Sequence, residues 1–186
     1  MKGRTGRLGL LGYGRVGKDS VGRFVVPRFH TVAIADKPRA IALDLNPVFY
    51  GRPLSEWVAG AGWDAVKSDD QVRRYLQALT TTGRKHFGRK TFWLEEALEE
   101  ANRVAAGADV CVTDVRLEEE VQMILRGPAR MWPGEIWVVT RPGVGPANEH
   151  ETESYHNWIH KYPHTVISND GTLEDLERTV ERALAA

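Results

Sequence analysis

The sequence predicts an α/β fold, a mostly parallel sheet of five strands with helices on both faces. Three observations predict it. Short apolar runs recur along the chain, at 7–12 (RLGLLG), 31–35 (TVAIA), 109–113 (DVCVT), 135–140 (EIWVVT) and 164–168 (HTVIS). Most lack clean alternation, as strands covered on both faces do. Helical patterns lie between them, which implies parallel pairing through crossover helices.

The elements follow in order. The first run leads into a glycine turn and then a helix. Between the second and third runs lie about seventy residues, more than one crossover helix needs. This stretch is rich in Gly, Pro, Trp, Arg and Lys, and reads as helices plus a mobile insertion at about 45–93 over a ligand site. Over 93–107, Leu94, Ala97, Leu98, Ala101, Val104 and Ala105 follow a 3.6-residue period that Gly107 ends. In the last segment Thr172 and Asp175 approximate a capping box, and Leu173, Leu176, Val180 and Leu184 form one stripe. At 186 residues the chain is long enough for one domain carrying that insertion.

Composition narrows the class. Basic and acidic residues balance at 25 each, so no global charge draws the chain to nucleic acid or membrane. Cys111 is the only cysteine, which rules out an intrachain disulfide and fits a reducing compartment such as the cytoplasm. The apolar run LGLLG after the basic start is too short for a signal-peptide core or a membrane span.

The segment LLGYGRVGKDS (10–20) carries two overlapping motifs. Gly12, Gly14 and Gly17 spell G-x-G-x-x-G, the turn of a dinucleotide-binding Rossmann unit. Asp36, nineteen residues after Gly17, stands where a ribose-binding acid would. Gly12, Gly17 and Lys18 spell G-x-x-x-x-G-K, the phosphate-wrapping P-loop. Lys18 favours the second. An ammonium in the first helical turn opposes the helix dipole, and is simple to explain if phosphates fill the loop. Backbone amides across Gly12, Gly14, Arg15, Val16 and Gly17 would then cradle the phosphates, and Lys18 would reach the β and γ groups. The usual Ser or Thr after the lysine is replaced by Asp19, with Ser20 next. Ser20 is the expected Mg²⁺ ligand and Asp19 lies near the metal shell or caps the loop. Asp114, at the tip of the third run, is the expected water-mediated partner of Mg²⁺, or else a cap for the next helix. His156 and His160 sit at i, i+4 but lack the Glu of a zincin motif. Trp57, Trp63, Trp93, Trp132, Trp137 and Trp158 read as core or pocket wall.

GKDS and ADKPR, followed in order by LNP (45–47), VRRYLQ (72–77), GRKHFGRKTFW (83–93), TDVRLEEE (113–120), RPGVG (141–145), HETE (150–153) and ISNDGTLEDL (167–176), resemble the phage-type deoxynucleoside monophosphate kinases. These are relatives of the adenylate and dephospho-coenzyme A kinases. The resemblance covers nearly the whole chain. Two places depart: LTTTGR lacks the family's Gly-Thr-acid, and Leu117 stands where Phe is usual. The resemblance implies a three-layer P-loop kinase fold and transfer of the ATP γ-phosphoryl group to a deoxynucleoside monophosphate with Mg²⁺. It implies Asp36 as the orienting residue or base at the acceptor, and Arg39, Arg74, Arg141, His150 and Glu153 around that acceptor. It implies Arg84, with Arg89, as lid charges at the transferring phosphate, Arg116 in the same cleft, and Asn169 and Gly171 beside adenine. Glu120 matches the family's acid after DVR. The expected partners are ATP and the deoxynucleotide, with no nucleic acid and no membrane; a homodimer stays open. The cytoplasm would be a host's if the gene is phage-borne. Three readings remain beside this one: a dephospho-coenzyme A kinase-like enzyme, a Rossmann NAD-binding protein, and a binding module that holds ATP without transfer.

Overall fold

A computed structural model of the chain describes residues 6–127, 134–147 and 149–186. Trp132 lies outside them. In chain order the elements are β1 (Arg7–Leu11), α1 (Lys18–Val25), β2 (His30–Val32), α2 (Asp36–Leu45), β3 (Val48–Phe49) and β4 (Arg52–Pro53). Then come α3 (Leu54–Val66), α4 (Asp70–Phe87), α5 (Phe92–Val104), β5 (Val110–Val115) and α6 (Glu118–Arg126). The chain closes with β6 (Glu135–Thr140), three short 3₁₀ turns between Glu151 and Lys161, β7 (Thr165–Ser168) and α7 (Leu173–Ala185). These elements form two compact units, Met1–Ile34 with Ala97–Ala186, and Ala35–Glu96.

The first unit is the predicted α/β fold. Its sheet runs β2-β5-β1-β6-β7, and every pairing is parallel. The five expected strands are all present, though β2 is only three residues long. Leu8 and Leu10 of β1 point to one face, into a core shared with Val21 and Val25 of α1, Trp137 and Val139 of β6, and Leu176 and Val180 of α7. Burying such side chains is worth roughly 1.5–3 kcal/mol each. On the other face α6 lies so close that a Cβ at Gly9 would come within 2.8 Å of the Ile124 side chain. Cys111, in β5, is fully buried, and burial pushes its thiol up to about 12. The Thr172–Asp175 capping box opens α7 as the spacing predicts.

The second unit is mostly helical and begins at Ala35. Its core is Ala42, Phe49, Leu54, Val66 and Val72, with Trp57, Trp63 and Tyr75 packed on it. Asp69 caps α4 by accepting from the amides of Gln71 and Val72, and Gly88 ends that helix in the left-handed region. The indole of Trp93 donates to the Thr80 carbonyl at 2.9 Å. The antiparallel β3–β4 pairing gave no signal in the sequence, because two-residue strands carry no periodicity. Among the described residues no helix is long and apolar enough to cross a membrane.

Candidate active site

β1 ends at Leu11 and the chain turns through Gly12–Gly17 into α1, beside the end of β5. Parallel sheets place ligands at this edge, where strand ends and helix N-termini converge. The turn demands glycine at two points. Gly12 has φ 152, and a Cβ there would lie 2.5 Å from the Val139 carbonyl oxygen; Gly17 has φ 103 as the residue before α1. Arg15 also takes a positive φ, at 67, and is exposed, as is Gly14. Val16 is the loop's anchor in the core, 1% exposed.

Lys18 is buried, and its side chain turns back over the loop. Nζ donates to the Gly12 carbonyl at 2.7 Å and to the Tyr13 carbonyl at 2.6 Å. The side-chain amide of Asn169 donates to the Val16 carbonyl at 2.8 Å. Three loop carbonyls are thus occupied by side-chain donors, and the Gly17 carbonyl accepts from the amides of Ser20 and Val21. Among the described residues, the amides of Gly14, Arg15, Gly17, Lys18 and Asp19 take no such partner. The loop therefore offers N–H groups and one remaining N–H of the ammonium, at the N-terminus of a helix. Such an arrangement is able to receive an anion by charge and by geometry. Burial lowers the Lys18 pKa to about 8, helped by repulsion from Arg116; Asp114, Asp19 and Glu153 oppose the shift.

Those charges come from three segments. Asp114 sits near the end of β5, where its Oδ1 accepts from the Ile34 amide at 2.6 Å. Arg116 follows, and its guanidinium donates to Glu153 at 2.6 Å. Glu153 is buried and also accepts from the Ala147 amide. Glu120 is 1% exposed and accepts from the amides of Arg116 and Leu117, which fixes the turn carrying Arg116. Ser20 and Asp19 lie in the first turn of α1, with the Ser20 hydroxyl 3.4 Å from Arg23. Oxygen donors such as Ser20 and Asp114 suit a hard divalent cation. No group of three or more His, Cys, Asp or Glu that could hold a metal ion occurs among the described residues, so His156 and His160 build no such cluster.

The remaining expected site residues divide by unit. Arg141 is exposed just after β6, Gly171 is exposed before α7, and His150 caps the first 3₁₀ turn by accepting from the Thr152 amide. Asp36, Arg39, Arg74 and Arg84 belong to the second unit. Arg39 pairs with Asp36 at 3.4 Å and lies 5.8 Å from the Trp63 ring centre. Arg74 is exposed on α4, and Arg84 is half-buried near that helix's end. Arg89 is held by Glu95 and the Phe92 ring. Of the tryptophans, Trp93, Trp137 and Trp158 are buried, and Trp57 and Trp63 half-buried.

Tyr13 escaped the sequence reading, and His156 entered it only as half of a His156–His160 pair, not as the neighbour of Tyr13. The phenol of Tyr13 lies 2.7 Å from His156 Nδ1, and its ring packs against Tyr155 with centres 4.6 Å apart. The one available signal was a bulky aromatic inside a glycine loop.

The sequence matches no family model and no curated protein. Among solved structures the chain is similar to a dephospho-CoA kinase from Campylobacter jejuni, with TM-score 0.51 and 12% identity over 96% of this chain and 95% of that one. It is similar also to TT1252 from Thermus thermophilus, with TM-score 0.49 and 20% identity over 98% of each chain. A third is a sugar kinase from Janibacter sp. HTCC2649, with TM-score 0.40 and 11% identity over 97% and 93%. The likeness to the first is one of fold, an α/β sheet of five parallel strands flanked by helices.

Proposed function

We propose that the chain is an ATP-dependent small-molecule kinase whose acceptor is a deoxynucleoside monophosphate. One observation carries the reading. The Gly12–Gly17 loop has its Gly12, Tyr13 and Val16 carbonyls occupied by Lys18 and Asn169, which leaves its amides for phosphate oxygens. A fold likeness to a dephospho-CoA kinase supports a kinase reading, and the motif order from GKDS to NDGTLEDL favours the deoxynucleotide as acceptor.

In this reading an acceptor phosphate oxygen attacks the γ-phosphorus. The bond from that phosphorus to the β–γ bridging oxygen breaks, giving ADP and a deoxynucleoside diphosphate. Charge accumulates on the equatorial oxygens and on the leaving β-phosphate, so catalysis is positioning and neutralisation. Lys18 and the loop amides neutralise the β and γ oxygens. Arg116, steadied by Glu153 and by the Glu120-bound turn, adds a planar cation suited to phosphate. Mg²⁺, held by Ser20 and through water by Asp114, would supply Lewis-acid neutralisation of the same oxygens. Asp36 would orient the acceptor, Arg39, Arg74 and Arg141 would bind its phosphate, and His150 would shape its pocket. Arg84 would serve the transferring group, and Asn169 and Gly171 the adenine side.

The test is ADP release with ATP and Mg²⁺ over dTMP, dGMP, dCMP, dUMP, dAMP and dephospho-coenzyme A, with Lys18→Ala alongside. Turnover on a deoxynucleotide, lost in the variant, is the expected result. Turnover on dephospho-coenzyme A alone moves the acceptor, and ATP binding without turnover removes the enzyme reading.

A further inference from the structure

The phosphate loop is tied to a distant segment through one side chain. Tyr13 is the only aromatic residue between Gly12 and Gly17. Its carbonyl accepts from Lys18 at 2.6 Å, while its phenol meets His156 Nδ1 at 2.7 Å and its ring packs on the buried Tyr155. His156 and Tyr155 lie in the second 3₁₀ turn, and Glu153, the partner of Arg116, ends the first. Residues 153–156 therefore hold both a loop residue and the site guanidinium.

We infer that Tyr13 and His156 are positioning residues for the phosphate loop, acting through the Tyr13 hydroxyl to keep its amides arranged for the phosphates of a nucleoside triphosphate. This rests on the nucleotide-binding reading above. The physical reason is the shape of the loop. Gly12, Gly14 and Gly17 leave its backbone with many accessible conformers, and an anion site is strong only if its donors are aligned before the ligand arrives. Lys18 and Asn169 fix the loop's carbonyls at its two ends. Tyr13 ties the stretch between them to Tyr155 and His156. The burial of Tyr155 supplies a rigid surface for the Tyr13 ring, so the hydroxyl bond sets position rather than merely closing a gap. Either imidazole tautomer completes the bond, since a phenol both donates and accepts.

The experiment compares wild type with Tyr13→Phe, His156→Leu, His156→Asn and the Tyr13→Phe/His156→Leu double variant. Backbone ¹⁵N order parameters of residues 12–17 are measured without ligand, and the affinity for ATP with Mg²⁺ by calorimetry. Tyr13→Phe keeps the ring contact and loses only the hydroxyl. One net hydrogen bond corresponds to about a fivefold weaker affinity. The loop order parameters are expected to drop from the rigid range near ~0.85 toward ~0.6 in both single loss variants. The double variant should be no worse than either single variant, and His156→Asn, which retains an acceptor, should recover most of both readouts. Unchanged loop order in Tyr13→Phe, or additive losses in the double variant, overturns the inference. If wild type binds no ATP, the nucleotide reading fails, and with it the ligand named here. The order parameters then decide separately whether the hydroxyl holds the loop.

Discussion

ATP affinity should fall as the pH rises through the titration of Lys18. Burial brings its pKa from 10.5 to about 8 in the folded protein. Phosphates in the loop would favour the ammonium and raise that pKa again, so binding above pH 8 takes up a proton. Affinity should therefore be nearly flat below pH 7.5. Above pH 8 it should weaken by about tenfold per unit, reaching about 30-fold at pH 9.5. The assay is calorimetry of ATP with Mg²⁺ in two buffers of different ionisation enthalpy. Uptake should be about 0.1 proton at pH 7 and about 0.9 at pH 9. The fold responds with the opposite sign. The unfolded lysine holds its proton to 10.5 and the folded one to about 8, so stability gains as pH rises between them. The stability gap of wild type over Lys18→Met should grow by about 2 kcal/mol from pH 7.5 to 9.5. A pH-independent affinity with no proton uptake would refute the reasoning, because it would place the ammonium away from the phosphates.

Other expectations concern packing and pairing. Glu153→Gln removes the charge partner of Arg116 from a buried position; urea unfolding should show a loss of about 1–3 kcal/mol. Gly12→Ala puts a Cβ 2.5 Å from the Val139 carbonyl oxygen at φ 152; it should lower the melting temperature and abolish ATP binding, with a cost of at least ~1–3 kcal/mol. Gly83→Ala on α4 would be stabilising by helix propensity, by about 1 kcal/mol. A Cβ there would sit 2.3 Å from the Trp93 ring, so thermal unfolding should show destabilisation instead, and a stabilised variant would mean the Trp93 contact is misplaced.

The sheet was legible because its signals are local. RLGLLG, DVCVT and EIWVVT are continuous apolar runs of strand length, and they became three adjacent strands. Lys18 was legible as a residue that stability alone disfavours, and it is the buried cation of the loop. The Thr172–Asp175 box was readable from a three-residue spacing. What escaped lies far apart in sequence or below the length of any period. Tyr13 and His156 are 143 residues apart, and neither residue type predicts the other. Glu153 reads from sequence as an acceptor residue, and its pairing with Arg116, 37 positions earlier, leaves no local sequence signal.

The buried sulfur in the middle of the sheet has a practical consequence. With its pKa near 12, Cys111 presents on the order of 10⁻⁵ to 10⁻⁴ of its thiol as thiolate near neutral pH, against a few per cent for a free thiol. Maleimides and similar reagents, which react with an accessible thiolate, should therefore label the native chain very slowly. A new cysteine at an exposed position, such as Tyr50→Cys on the second unit or Arg141→Cys after β6, would react alone. One fluorophore or spin label can then be placed at any chosen surface without first removing the native cysteine from the core.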